Sequence, residues 1–297
     1  MPIGITLGTF TPSVLLRVAR RTGRLAAAGL DVTETAVPSS PGQFAALLDG
    51  SLDAVLTSPD NVLAYRYSPT NPLGRTADAR MVSAVDRGMG LGLYARGDAA
   101  DLRGAAFGVD VPTSGFAFAM YALAESIGLD RSDYELVTLG STPKRLRALL
   151  AGECAATMLN AGNELHAEAA GLRPLATVAR TCSPYLGTVL AVVGDPGAAT
   201  ALAPVLTATA AAVVAGELDA EVVAEAQAAL ELPEPLAQRY LARLTDPAEG
   251  LVPDGVVDPA SIRTLVDLRR RYRPETAGGA DVFAPALEPG SGLVVTP

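Results

Sequence analysis

The sequence predicts an α/β protein of two lobes, each built on a mixed, mostly parallel sheet, with a ligand cleft between the lobes and a helical C-terminal region. Three observations predict this class. The chain has 297 residues, which exceeds the usual size of a single domain. Strand-like and helix-like segments alternate through its first third. A pattern from that third recurs in the middle of the chain at a constant offset of 102 residues.

The first third predicts three consecutive βα units. Residues 3–7, 30–37 and 53–57 have the apolar character of strands. A hydroxyl residue followed by proline opens a helix after each strand, at Thr11-Pro12, Ser40-Pro41 and Ser58-Pro59. Proline suits this position because its fixed φ is already helical. The helices of parallel βαβ units begin along one edge of the sheet, so these three helix starts are expected at one cleft.

The second lobe repeats this scheme. At the offset of 102 residues, Ser40-Pro41 is matched by Thr142-Pro143, and residues 46–50 are matched by residues 148–152. Two lobes of similar construction explain the matches, and coincidence between two periodic sequences is the alternative. Both lobes should direct strand ends and helix starts at a common cleft.

Two apolar strands bracket the second lobe, at residues 81–95 and 187–193. They are the predicted crossings between the lobes, and two crossings allow hinge closure around a ligand. The predicted lobes are therefore residues 1–87 with 188–297, and residues 88–187.

The turn around Ser114 follows a predicted strand, residues 105–109, and precedes a helix that reaches about Ile127. Ser114 stands where a helix N-cap belongs. The amides that follow it could bind an anion, because helix N-termini combine free N–H groups with a positive dipole end. The alternative is that Ser114 only caps its own helix.

The C-terminal region is predicted to be helical from residue 198 onward. The helices are expected at residues 201–216, 220–230, 235–244 and 258–272. Arg269, Arg270 and Arg271 are interpreted as the solvated basic end of the last helix, which complements its dipole. Residues 274–297 are rich in Gly and Pro and are expected to form an extended or poorly ordered tail.

Composition excludes several classes of function. The net charge is −9 and the pI is near 4.7, which argues against nucleic acid or an anionic membrane as the main partner. Lys144 is the only lysine, and the abundance of alanine is typical of a high-GC, actinobacterial-like coding sequence, so arginine richness carries little functional weight. One His and two Cys cannot supply a zinc site, and no nucleotide-binding motif is present, so no metal and no cofactor are predicted.

The N-terminal residues already have strand character and show no basic segment followed by an apolar one. We therefore expect a cytoplasmic protein, or a periplasmic or extracellular one if a signal was removed. The Ala-rich, mostly apolar segment of residues 208–215 is too short to span a bilayer, and no membrane insertion is predicted.

The chain resembles the type II periplasmic binding protein fold. Within that fold it is similar to the solute-binding proteins of nitrate, sulfonate and taurine transporters and to their thiamine-precursor relatives. The resemblance covers about residues 3–272 and rests on residues 29–32, 47–54, 101–104, 107–110 and 149–153. It implies a small-molecule ligand, and an ABC-transporter permease is a candidate partner.

In similar proteins the ligand contacts the loops after the strands. Here those loops contain Gly8, Thr9, Phe10, Thr11, Ser58, Asn61, Thr113, Ser114, Gly115, Phe116, Ser141, Thr142, Asn160 and Asn163. The residues themselves predict the same loops, because ligands lie beyond the carboxyl ends of parallel strands.

Two further residues are predicted at the cleft. Arg87 lies at a lobe crossing and could bind a carboxylate or sulfonate, or alternatively pair with Asp86 or Asp110 to tie the lobes together. Tyr185, like Phe10 and Phe116, could provide a flat wall. The predicted ligand is a small organic anion, with an aromatic carboxylate, a sulfonate and a pyrimidine-like compound all open.

Two functions are consistent with these residues. The first is a binding protein whose lobes close on this anion. The second is a cofactor-independent cytoplasmic enzyme of secondary metabolism, of lyase type such as a decarboxylase or dehydratase. In that enzyme, Ser114 and the amides that follow it would stabilise negative charge, and Asp86 or Cys182 would move a proton. A cysteine nucleophile, which desulfinases of this fold carry after the first strand, is replaced here by Gly8 and Thr9.

Overall fold

A computed structural model of the protein describes residues 1–295, so the last two residues of the predicted tail lie outside the described part. The strands in residues 1–295 are β1 (Ile3–Thr9), β2 (Leu30–Ala36), β3 (Ala54–Thr57), β4 (Ala79–Asp86), β5 (Gly92–Ala95), β6 (Ala106–Val109), β7 (Glu135–Thr138), β8 (Ala156–Leu159), β9 (Arg173–Thr177), β10 (Thr188–Val193), β11 (Thr276–Ala277) and β12 (Ala280–Asp281).

Helices alternate with these strands and then continue beyond β10. They are α1 (Val14–Arg21), α2 (Arg24–Ala27), α3 (Ser40–Leu48), α4 (Pro59–Tyr67), α5 (Gly115–Ser126), α6 (Thr142–Ala151), α7 (Asn163–Ala169), α8 (Val178–Thr181), α9 (Gly197–Val214), α10 (Asp219–Leu230), α11 (Glu234–Thr245) and α12 (Pro259–Tyr272). Short 3₁₀ helices are Ala99–Leu102, Arg131–Asp133 and Ala284–Leu287.

The two large sheets have the same plan. The first has the order β2-β1-β3-β10-β4, and the second has the order β7-β6-β8-β5-β9. In each, the first three strands are parallel and the last two pair antiparallel to their neighbours. This confirms the predicted fold class of two mixed, mostly parallel sheets.

The sequence repeat coincides with equivalent elements of the two sheets. Ala54 begins β3 and Ala156 begins β8, which occupy the same place in their sheets. The chain passes between the sheets twice, through residues 87–91 and residues 178–187. The predicted lobe boundaries fall at the beginning of the first segment and the end of the second.

Helix α1 begins later than predicted. Ser13, rather than Thr11-Pro12, is its N-cap, with Ser13 Oγ accepting from the amide of Leu16 at 3.3 Å. Glu34 of β2 decides this, because its Oε1 accepts from the Ser13 amide at 2.6 Å and from the Thr9 hydroxyl at 3.0 Å. Thr11 and Pro12 therefore stay in the loop at the end of β1.

Helix α9 packs into the core of the first lobe. It is the one helix in residues 1–295 whose length and mean hydropathy of 1.7 would suffice to cross a membrane. Eight of its residues are buried in the fold: Ala199, Leu202, Ala203, Leu206, Thr209, Ala210, Ala212 and Val213. A helix packed in a protein core meets the same criterion, so the finding is weak evidence for a membrane span.

The prediction of an extended or poorly ordered tail is wrong for residues 274–295. The segment forms the β11–β12 hairpin and a 3₁₀ helix, and then pairs with β4 through Val294 and Met81. The Met81 amide donates to the Leu293 carbonyl, and the Val295 amide donates to the Met81 carbonyl, each at 2.8 Å. β4 is an edge strand with unpaired backbone groups, and the tail satisfies them.

Phe283 anchors the tail and is completely buried. Replacing it by alanine removes a large buried side chain, so Phe283→Ala should lower the free energy of unfolding by about 3 to 5 kcal/mol. Urea denaturation followed by circular dichroism measures this. Val256→Ala serves as the control, because Val256 is 56% exposed and its replacement should cost less than about 0.5 kcal/mol. Equal stabilities of the two variants would contradict the anchoring role.

Candidate functional site

A cavity of about 120 Å³ lies between the two sheets, where the predicted cleft was expected. Most residues predicted from the sequence line it: Thr9, Phe10, Thr11, Ser58, Asn61, Ser114, Gly115, Phe116, Ser141, Thr142 and Asn160. They come from the carboxyl ends of β1, β3, β6, β7 and β8, so the parallel strands of both sheets aim at one space. The rest of the wall is largely apolar, with Leu15, Val85, Met89, Leu244 and Leu251 among its members.

Arg87 is placed outside the cavity wall. Its Nη1 donates to the carbonyl of Leu251 at 2.6 Å, which ties the first crossing to the C-terminal helical region. The local sequence placed Arg87 at the right crossing but could not show which way its side chain turns.

Four other predicted residues also lie outside the wall: Gly8, Thr113, Asn163 and Tyr185. Gly8 is packed in the core, because a Cβ there would lie 2.6 Å from the Leu52 side chain. Tyr185 is buried, and burial raises the pKa of its phenol well above the ordinary value. Asn163 acts between the lobes instead, where its Nδ2 donates to Thr11 Oγ1 at 3.3 Å.

Hydrogen bonds across the cleft join the two lobes directly. On the first lobe, the hydroxyl of Ser40 donates to Asp110 Oδ2 at 2.7 Å, and the Ser40 amide donates to the same oxygen at 3.3 Å. From the second lobe, the Ser141 amide donates to the Pro38 carbonyl of the first lobe at 3.2 Å. The structure therefore shows a closed arrangement of the lobes.

A buried ion pair lies at one side of the cleft. Arg269 of α12 donates through Nε and Nη2 to the two carboxylate oxygens of Asp60, at 2.6 and 2.7 Å. Both side chains are at most 2% exposed. The interpretation of Arg269 as a solvated residue is therefore wrong, because tertiary packing turns it inward while Arg270 and Arg271 point outward.

The same ion pair reaches the second lobe. The amide of Gly115 faces the Asp60 carboxylate and favours its charged form, as Arg269 does, whereas burial raises the Asp60 pKa. A Cβ at position 115 would lie 2.3 Å from the Cβ of Asp60, so only glycine permits this approach. The guanidinium carbon of Arg269 lies 5.2 Å from the ring centre of Phe118 and 5.0 Å from that of Phe283.

The turn at Ser114 is largely occupied within the protein. Ser114 Oγ accepts from the amide of Ala117 at 3.3 Å, so Ser114 caps its own helix. The Gly115 amide faces Asp60. The amide of Phe116 has no acceptor within residues 1–295. Within residues 1–295, one amide of the predicted anion-binding turn thus has no hydrogen-bond partner.

Arg145 is the functional candidate that the sequence analysis missed. It lies in the first turn and a half of α6, contributes to the cavity wall and is only 2% exposed. Its guanidinium donates to the Gly140 carbonyl at 2.5 Å, the Thr142 hydroxyl at 2.9 Å and the Met158 carbonyl at 3.3 Å.

No carboxylate in residues 1–295 lies within ion-pair distance of Arg145, and its Nε has no acceptor there. Burial lowers its pKa to about 10, with Asp110 opposing the shift, so the side chain remains a cation at neutral pH. The available signal is an arginine three residues after the Thr142-Pro143 helix start, and such a position does not stand out in an arginine-rich chain.

The three residues proposed for catalysis are not brought together. Asp86 and Ser114 line the cavity, whereas Cys182 lies in a separate surface groove beside Glu125 and Arg271. Burial raises the pKa of the Cys182 thiol to about 11, so it is not a thiolate at neutral pH. Within residues 1–295 no cluster of three or more His, Cys, Asp and Glu could hold a metal ion.

Asp86 ends β4 at the first crossing and is almost fully buried. Its Oδ1 accepts from the Gly88 amide at 2.8 Å. Burial raises the pKa of this carboxyl to about 6, against the opposing hydrogen bonds from Thr188 and Gly88 and the charge of Arg87.

Solved structures with the same fold have low sequence identity to this chain. The alkanesulfonate-binding protein SsuA from Xanthomonas axonopodis pv. citri, solved with MOPS bound, has a TM-score of 0.72 at 16% identity and covers 100% of this chain and 99% of its own. The periplasmic nitrate-binding protein NrtA from Synechocystis PCC 6803 has a TM-score of 0.72 at 13% identity, covering 94% and 84%. A Candida albicans protein described as having the generic periplasmic binding protein fold has a TM-score of 0.69 at 13% identity, covering 99% and 96%.

The chain has the type II periplasmic binding protein fold. This confirms the resemblance that the sequence motifs indicated. No protein-family model and no curated protein matches the sequence.

The raised pKa of Asp86 predicts a pH-dependent stability. The folded protein keeps a proton on Asp86 that the unfolded chain has already released, so the stability from this group is complete below about pH 4 and is lost as the pH rises through about 6. Relative to Asp86→Asn, which can still accept from Gly88, wild type should lose up to about 3 kcal/mol between pH 4 and 7.5. Urea denaturation of both proteins across this range measures the difference, and parallel pH profiles would contradict it.

Proposed function

We propose that the protein is a receptor that closes its two lobes on a small organic anion. The carrying observation is the guanidinium of Arg145, a buried cation at the cavity wall with no carboxylate partner in the described residues. A buried charge is costly unless it is paired and fully hydrogen-bonded. A carboxylate or sulfonate on a ligand would supply the missing charge-assisted interaction, and the planar guanidinium suits either group.

The surroundings of Arg145 support this ligand class. Hydroxyl groups of Ser58, Ser141 and Thr142 line the same cavity and can donate to anionic oxygens. The rings of Phe10 and Phe116 provide apolar contact for the body of the ligand. The volume of about 120 Å³ is well below the roughly 300–1,000 Å³ of drug-sized ligand pockets, so the ligand has few non-hydrogen atoms.

Solved structures of the same fold support the binding role. One binds an alkanesulfonate and another binds nitrate, according to their descriptions. A third, from Staphylococcus aureus, is described as the ligand-binding component of an ABC-type import system with zinc bound. We extend the proposal to delivery of the anion to an ABC-transporter permease.

An enzyme on this scaffold is not favoured. Cys182 lies away from the cavity with a protonated thiol, and Ser114 Oγ is engaged as a helix cap. Asp86 remains the one proposed proton carrier in the wall, and the Gly88 amide already donates to its carboxylate.

Arg145→Met should abolish most of the binding. Because it removes one partner of a buried charge pair, we expect the affinity for ethanesulfonate or propionate to fall at least about 30-fold, equivalent to about 2 kcal/mol. Arg145→Lys should recover only part of it, since ammonium cannot bind bidentately. Isothermal titration calorimetry with ethanesulfonate, propionate and nitrate measures these affinities.

Arg147→Met is the matched control. Arg147 lies on the same helix, two residues further on, but its side chain is exposed, so its replacement should change the affinity less than twofold. Equal binding by Arg145→Met and wild type would refute the assignment of the anion site. A wild-type protein that binds none of the three anions would refute the receptor proposal as stated.

A further inference from the structure

Asp110 belongs to the second lobe but bonds to the first. It follows β6 directly and contributes to the cavity wall. Its Oδ2 accepts both the hydroxyl and the amide hydrogen of Ser40, which begins α3 across the cleft. The other carboxylate oxygen, Oδ1, is buried and has no hydrogen-bond donor within residues 1–295.

Arg145 and Asp110 carry opposite charges on the same lobe, but they do not pair in this structure. Both residues lie on the second lobe, Asp110 at the end of β6 and Arg145 on α6. Their charges interact, since Asp110 opposes the fall of the Arg145 pKa. They form no ion pair within 4.0 Å, however, and Arg145 Nε and Asp110 Oδ1 are each left without a hydrogen-bond partner.

Separation of the lobes would change the hydrogen-bond partners of Asp110. Ser40 would move away with the first lobe, whereas Asp110 and Arg145 would stay together on the second. A rotation of the Asp110 side chain would then allow its carboxylate to accept from Arg145, which satisfies the two atoms that the closed form leaves unpaired.

We propose that Asp110 is a positioning residue that exchanges between two partners, Arg145 when the lobes are apart and Ser40 when they are closed. The inference rests on the proposed receptor function and adds the means by which closure depends on the ligand. An anionic ligand takes the place of the Asp110 carboxylate on Arg145 and releases Asp110 to bond to Ser40. A neutral ligand cannot compensate Arg145, so the exchange also selects for a negative charge.

Three variants test the exchange with ethanesulfonate as the probe. Asp110→Asn removes the competing charge but keeps an oxygen that can accept from Ser40, so its affinity should rise about tenfold. Ser40→Ala removes the partner that draws Asp110 away, so its affinity should fall about tenfold. In the double variant the effect of Ser40→Ala should shrink to less than about threefold, because no charged competitor remains to be drawn away.

A spectroscopic readout separates exchange from a merely structural role. In ¹⁵N NMR spectra of the ligand-free protein, the Nε–H resonance of Arg145 should shift on Asp110→Asn, because a neutral amide oxygen replaces its charged acceptor. With saturating ethanesulfonate the same resonance should be nearly equal in wild type and variant. Asp110→Ser provides a second charge-free variant if Asp110→Asn does not fold.

The outcomes distinguish this inference from the receptor proposal. Binding that depends on Arg145 but is unchanged or weakened in Asp110→Asn refutes the exchange alone. An effect of Ser40→Ala that is as large in the double variant as in the single one does the same. Failure of wild type and all variants to bind ethanesulfonate, propionate and nitrate refutes the receptor function itself.

Discussion

The closed arrangement depends on the buried ion pair between Asp60 and Arg269. Two charges removed from water are expensive, and here the cost is offset by two charge-assisted hydrogen bonds, the Gly115 amide and two phenyl rings on the guanidinium. These groups come from both lobes, from α12 and from the C-terminal tail. Loss of either charge would leave the other one buried without a partner, which typically costs about 3 to 5 kcal/mol. One interaction therefore couples four separate parts of the chain.

This junction also explains the geometry of the cleft. Asp60 is the second residue of α4, two positions after the N-cap Ser58, and Gly115 is the first residue of α5. Their contact brings the N-termini of one helix from each lobe together, which narrows one side of the cavity. The bond between Asn163 and Thr11 joins another part of the lobe interface. The contacts between Asp60 and Gly115 and between Asn163 and Thr11 hold the two lobes close together. The cavity between the lobes is therefore small.

The fold could be predicted from the sequence because its signals are local. Helix starts such as Ser58-Pro59 and the apolar strands depend on neighbouring residues, and the repeat at Ala54 and Ala156 records the equivalent strands. The position of the cavity could be predicted from the topology, because the carboxyl ends of the parallel strands of both sheets face one space. The pairing of Asp60 with Arg269 joins residues 209 positions apart, and no local pattern encodes it. The tail was missed for the same reason: its Gly and Pro residues suggested disorder, whereas Phe283 and the open edge of β4 decide its place.

The contrast between Arg87 and Arg145 bears on how the proposed receptor, an acidic protein, would select an anion. With a net charge of −9, the long-range field of this chain repels anions, but that field is screened within about 10 Å at ordinary ionic strength. Inside the cavity, recognition depends on local hydrogen bonds that are left open. Arg87 has a backbone acceptor in Leu251 and lies outside the wall. Arg145 has backbone and hydroxyl acceptors but forms no ion pair with a carboxylate of residues 1–295. Asp110, the carboxylate whose charge opposes the fall of the Arg145 pKa, is held by Ser40 on the opposite lobe. In the proposed exchange, selectivity follows from which partner Asp110 takes, and this depends on the position of the lobes.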